Sequence, residues 1–132
     1  MQVRSFIPAL LVVAAIGTGA QASRGKDSRA AEYARLLAGK TAERPVDCID
    51  TRFTRPSLTA YGDKLVYKVS NKLVYVSDTA GGCQAVARGD TLVTNQFQQR
   101  LCRGDLARTV DLRTGINTGS CAIGAFTPYR AR

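Results

Sequence analysis

The chain has 132 residues, 45% of them hydrophobic, with 19 Lys and Arg against 10 Asp and Glu and no histidine, a net charge of +9. That length builds one domain around one modest core and excludes two. Without an imidazole, Ser-His-Asp and Cys-His catalysis and every histidine-bearing zinc site are excluded as well.

Residues 1–22 have the make-up of an export signal peptide. Arg4 supplies a positive start, residues 6–16 an apolar stretch too short to span a bilayer comfortably, and Ala20-Gln21-Ala22 a small-x-small cleavage site. Ser23 is the expected new N-terminus. No cysteine follows that site, which disfavours a lipid anchor, and no later apolar run is long enough to span a membrane. The expected product is a soluble periplasmic or secreted protein. Losing Arg4 leaves 18 basic against 10 acidic residues, a net +8. Such a surface is drawn to polyanions, which for an exported protein means an anionic cell-envelope component ahead of nucleic acid.

Residues 23–27 read as a polar leader. From Ser28, Ala30, Ala31, Tyr33, Ala34, Leu36, Leu37 and Ala38 place helix formers at three- and four-residue spacing. The expected element is one short helix, capped by Asp27 or Ser28, closed by Gly39, with Arg35 and Lys40 at its negative pole. Pro45 opens the second region, 45–132, where β-branched and aromatic residues alternate with turn signals. Residues 46–53 read as a first strand, broken by Arg55-Pro56. Lys64-Leu65-Val66-Tyr67 recurs as Lys72-Leu73-Val74-Tyr75, which predicts a hairpin about Ser70-Asn71-Lys72. A three-residue loop there would oppose Tyr67 with Tyr75 and Val69 with Leu73, whereas a two-residue loop would shift that register, and sequence alone does not fix which. Val74 and Val76 make the other face of that second strand apolar too, as in a strand buried on both sides.

Further strands are expected at 83–87, 91–97, about Leu101-Cys102, at 106–112 with Leu106, Val110 and Leu112 on one face, and at 121–126 as the closing strand. Residues 114–120 read as a Gly/Thr/Asn loop. Six or seven short strands imply a mainly β fold, a small antiparallel barrel or sandwich with one short N-terminal helix.

Cys48, Cys83, Cys102 and Cys121 are separated by 35, 19 and 19 residues. An even count in an exported chain predicts two disulfides, whereas a four-thiolate zinc site or a redox motif would bring ligands in close C-x-x-C pairs. Of the three connectivities, Cys48 with Cys121 and Cys83 with Cys102 is the favoured one, since it would tie the ends of the domain together.

Two carboxylates flanking a cleft could still hydrolyse a glycoside. The candidates are Asp47, Asp50, Asp63, Asp78, Asp90, Asp105 and Asp111. Most sit beside glycine or at a strand end, where Asp serves as a turn residue. Asp47 and Asp50 would point to opposite faces of one strand. No pair stands out, and no catalytic residue, metal ligand or cofactor site is assigned. The glycine runs lack phosphate-binding spacings. Both Arg-Gly-Asp tripeptides, at 88–90 and 103–105, are better explained as turns than as adhesion motifs. Arg88, Arg100, Arg103, Arg108 and Arg113 remain as the candidate binding face. Arg108 is the sharpest of them, because it interrupts an otherwise apolar row and a buried guanidinium needs a partner.

Residues 45–49, the 65–76 hairpin, Gly82-Cys83, Leu101-Cys102-Arg103-Gly104-Asp105 and residues 121–129 together resemble an uncharacterised family of small exported proteins of Gram-negative bacteria, known as a domain of unknown function. The resemblance implies export and this fold, makes disulfides the expected state of the cysteines, and carries no catalytic residues. The expected function is therefore non-catalytic binding of an anionic envelope component or of another exported protein. The alternatives are an inhibitor or accessory subunit docking through a loop such as 115–120, and a carboxylate hydrolase.

Overall fold

The computed structural model describes residues 20–96 and 98–132, so the expected signal peptide lies, but for residues 20–22, outside the described residues. Helix α1 spans Ala20–Leu37 and is followed by strand β1, Lys40–Ala42. The helix is longer than the element expected from Ser28, because 23–27 is helical too. Once a turn is nucleated, each added residue is cheap. Ser28 is therefore no cap; its hydroxyl donates to the carbonyl of Gly25 one turn back, at 3.0 Å. The C-terminus is closed as expected by Gly39 at φ 70°, and Lys40 donates its ammonium to the carbonyl of Leu36 at 2.8 Å. That cation neutralises the negative end of the helix.

The remaining strands are β2 Cys48–Asp50, β3 Ser57–Tyr61, β4 Lys64–Lys68, β5 Leu73–Gly81, β6 Thr91–Thr94, β7 Arg100–Cys102, β8 Leu106–Asp111 and β9 Ile116–Ala131. The fold is mainly β and antiparallel, as expected. One sheet in the order β3-β4-β5-β9-β8-β6 curls into a half-barrel, with β1 also paired to β9, and β2 and β7 form a small second sheet. The spine is β9, 16 residues long. Its first half pairs with β8, its second half with β5, and its last residues with β1. The expected loop at 114–120 is thus mostly the start of this strand. Residues 83–87, expected as a strand, instead enter a short 3-10 helix, Gln84–Arg88, closed by Gly89 at φ 100°.

The repeated tetrapeptides form the expected hairpin, with Tyr67 opposite Tyr75, and Val69 N–H donating to the carbonyl of Leu73 at 3.1 Å. The turn is held by the Ser70 hydroxyl, which accepts from the amides of Lys72 and Leu73 at 3.2 and 3.1 Å. Because side chains alternate along a strand, Leu65 and Tyr67 point into the half-barrel and Val66, Val74 and Val76 point out of it. Inside, Ile49, Leu65, Leu101, Ile123 and Phe126 form the core, with Phe126 edge-on to Tyr67 at 5.6 Å between centroids. Outside, Tyr33, Leu36 and Leu37 of α1 cover the valines. β5 is therefore buried on both faces, and the helix is docked. Each such half-buried side chain contributes on the order of 1 kcal/mol.

Both disulfides form, but not in the favoured pairing. Cys48 bonds Cys102 and Cys83 bonds Cys121. The reason is register. Cys48 and Cys102 are directly opposite in the β2/β7 ladder, with Cα atoms 4.0 Å apart. Gly81 is opposite Cys121 in the β5/β9 ladder, so Cys83, two residues on, arrives beside that same cysteine.

Candidate functional site

Strand β8 inverts its expected faces. Ala107 and Thr109 point inward, while Leu106 is 76% exposed and Arg108 shares its outward side. The interior opposite β8 is crowded. Ala107 sits across from Cys121, whose sulfur is bonded to Cys83, and Thr109 sits across from Gly119, whose α-carbon lies tightly against the carbonyl of Gly82. Only small side chains fit there, so the large apolar ones are turned out. Arg108 is accordingly exposed and is not the buried, partner-seeking guanidinium that the apolar row suggested.

The β8/β9 hairpin carries this surface to its tip. The Asp111 carboxylate accepts from the Arg113 amide at 2.8 Å, Gly115 N–H donates to the Asp111 carbonyl at 2.7 Å, and Gly115 takes φ 72°. The turn is thereby fixed, with Leu112 and Ile116 projecting at 74% and 60% exposure beside Arg113. Behind the tip, a shallow concavity of about 320 Å³ is lined by Val93, Asn95, Leu106, Arg108, Asn117 and Ser120. β6, which forms one wall, is the edge strand of the sheet.

The five arginines proposed as one face fall on three separate elements. Arg108 and Arg113 belong to this hairpin. Arg100 opposes Asp50 in the β2/β7 ladder, and Arg103 places its Nε 3.3 Å from the carboxylate of Asp47. Arg88 ends the 3-10 helix. Among the described residues, three of the five exposed large hydrophobics, Leu106, Leu112 and Ile116, lie with the first pair. The signal that could have found this grouping is the spacing Leu106-x-Arg108, which puts the two on one face of a strand whichever way it turns.

The candidate carboxylates other than that of Asp63 are occupied by local structure. Asp50 accepts from the amides of Arg52 and Phe53, Asp105 from the amide of Cys102, and Asp90 from the hydroxyl of Thr118. Asp78 pairs with Lys64, and Asp47 and Asp111 with Arg103 and Arg113. Asp63 sits in the β3/β4 turn, where its backbone carbonyl accepts from Thr79. Both Arg-Gly-Asp segments are turns, with Gly89 and Gly104 at φ 100° and 90°.

Among the described residues no helix is long and apolar enough to cross a membrane, and no group of three or more Cys, Asp or Glu side chains is placed to hold a metal ion. No protein-family model, curated protein or solved structure matches the chain.

Proposed function

We propose that this chain is an exported, non-catalytic binding protein that docks on another exported protein through the outward face and tip of the β8/β9 hairpin. The observation that carries the reading is the concentration of exposed Leu106, Leu112 and Ile116 with Arg108 and Arg113 on one rigid element. Exposed apolar side chains gain free energy only when a partner removes them from water, and arginine is favoured beside them because its planar cation tolerates partial desolvation. The complementary partner presents an apolar patch flanked by carboxylates. An inhibitor or accessory subunit would use the same hairpin, which is the exposed, arginine-bearing element that role requires. Two disulfides suit an oxidising compartment, and the resemblance to a family of small exported proteins points the same way.

The test is capture from an envelope extract on the immobilised protein, at low and then high salt, with Leu112→Asp and Arg108→Ala variants alongside vesicles of phosphatidylglycerol. A protein retained at high salt by the wild type and lost with Leu112→Asp supports the reading, because screening removes surface attraction but not a packed apolar contact. Binding to vesicles alone, abolished by salt and indifferent to Leu112→Asp, would overturn it in favour of general adhesion to anionic envelope surface.

A further inference from the structure

A second concavity, larger than the one behind the hairpin tip, lies away from the hairpin, between α1 and the β3/β4 turn. It encloses about 560 Å³ and its walls include Lys26, Arg29, Tyr33, Tyr61, Gly62 and Lys64. It stays open because Gly25, Ala30 and Gly62 contribute almost no side chain; a Cβ added at Gly25 or Gly62 would meet nothing within 4 Å. One wall is aromatic, with the Tyr33 and Tyr61 rings 5.3 Å apart at 47°. Burial raises both phenols above their ordinary value, and for Tyr61 a hydrogen bond with Glu32 adds to the effect. Both tyrosines therefore stay neutral and offer a ring face with a hydroxyl at its edge.

The cations around this wall differ in how they are held. Lys64 is paired with Asp78. Arg29 instead donates to two backbone carbonyls, Ala60 O at 3.3 Å and the carbonyl of Ala87, which fixes α1 against β3 and the 3-10 helix. Carbonyls orient a guanidinium without cancelling its charge, so Arg29 keeps a full positive charge in a fixed position. Lys26, one turn of helix away, is exposed. Among the described residues, the nearby acids are Glu32, beside Tyr61, Asp78, paired with Lys64, and Asp63 in the β3/β4 turn; none of the three lines the groove.

We infer that this groove binds a small amphipathic organic anion, its apolar body laid on the Tyr33 and Tyr61 rings and its carboxylate or phosphate held by Lys26 and Arg29. The volume falls within the roughly 300–1,000 Å³ of small-molecule sites, and an apolar lining with a few fixed polar groups is the usual composition of such sites. The anion can be a free acyl or aromatic acid or the headgroup end of an anionic phospholipid. The inference does not rest on the hairpin reading, since the two surfaces share no residue.

The test is a fluorescence titration of the protein, expressed as the full chain and purified, with anilinonaphthalene sulfonate and with its neutral relative phenylnaphthylamine. Ala30→Trp should fill the groove and weaken both probes by about tenfold or more. Lys26→Glu, an exposed change that leaves folding intact, should weaken the sulfonate by about threefold while sparing the neutral probe. The double variant Leu112→Ser/Ile116→Ser should change neither, which separates this site from the hairpin. Displacement by dodecanoate assigns a free acid and displacement by dihexanoyl phosphatidylglycerol assigns a lipid headgroup; either supports the site. Probe binding indifferent to both Ala30→Trp and Lys26→Glu, or displacement by neither competitor, would overturn it.

Discussion

Replacing Cys48 and Cys102 together by alanine isolates what one cross-link contributes. The two residues are 54 apart in sequence, and closing a loop of that length removes about 4 kcal/mol of chain entropy from the unfolded state at 25 °C. Both cysteines are half-buried, so the cavity left by the missing sulfurs adds little. The native side matters more. β2 and β7 meet over only three residue pairs, too short a ladder to hold itself, yet Ile49 and Leu101 between them are 4% and 1% exposed in the half-barrel core. Domains of this size are stable by about 5–15 kcal/mol, so the loss takes a large share of the total. It corresponds to a fall in midpoint of about 15 °C or more. Thermal unfolding followed by far-ultraviolet circular dichroism reads this directly, and peptide mapping of the unreduced protein checks the connectivity. A fall below about 3 °C, or a peptide linking Cys48 to Cys121, would refute the reasoning.

Three further outcomes are expected. Phe126→Ala, at a side chain with no exposure that packs edge-on against Tyr67, should cost about 3–5 kcal/mol in urea unfolding; a cost under about 1 kcal/mol would mean that the half-barrel is not filled as described. Gly124→Ala should destabilise by more than about 2 kcal/mol, because the new Cβ would fall 2.2 Å from the backbone oxygen of Asp78 and force β5 and β9 apart. Wild-type stability in that assay would show that the strands do not approach so closely. The Tyr67 hydroxyl is buried with no hydrogen-bond partner among the described residues, and burial pushes its phenol well above the ordinary value of 10.0. Above that value the unfolded chain ionises while the folded one does not, so stability is complete below about pH 10 and is lost as pH rises beyond it. Tyr67→Phe should remove this contribution to the alkaline loss and, by deleting an unsatisfied buried hydroxyl, raise stability near neutral pH by about 1 kcal/mol. An unchanged alkaline unfolding profile would show that Tyr67 is not the group responsible.

Local chemistry was enough to read much of this molecule. The KLVY repeat and the turn residues Ser70-Asn71-Lys72 defined a hairpin, while its register, which a two-residue loop would have shifted, was decided only by the folded sheet. Gly39 marked the helix end, and the Arg-Gly-Asp glycines marked turns, because positive φ is a property of single residues. Nothing local, however, says which strands become neighbours after a long excursion. Cys48 meets Cys102, and not Cys121, because β2 pairs with β7 far along the chain. For the same reason the faces of β8 were misread. Alternation along β8 defines two faces, Leu106 with Arg108 and Ala107 with Thr109, but hydrophobicity alone assigns the larger side chains to the core. The assembled half-barrel reverses that assignment, since Cys121 and Gly119 on β9 leave room only for small side chains. The groove at α1 depends on distance in the same way, being made by residues from two regions that meet only when the helix crosses the valines of β4 and β5. Conformational preference belongs to a residue and its near neighbours and so is written in sequence, whereas the space available to a side chain is set by whatever the rest of the chain packs against it.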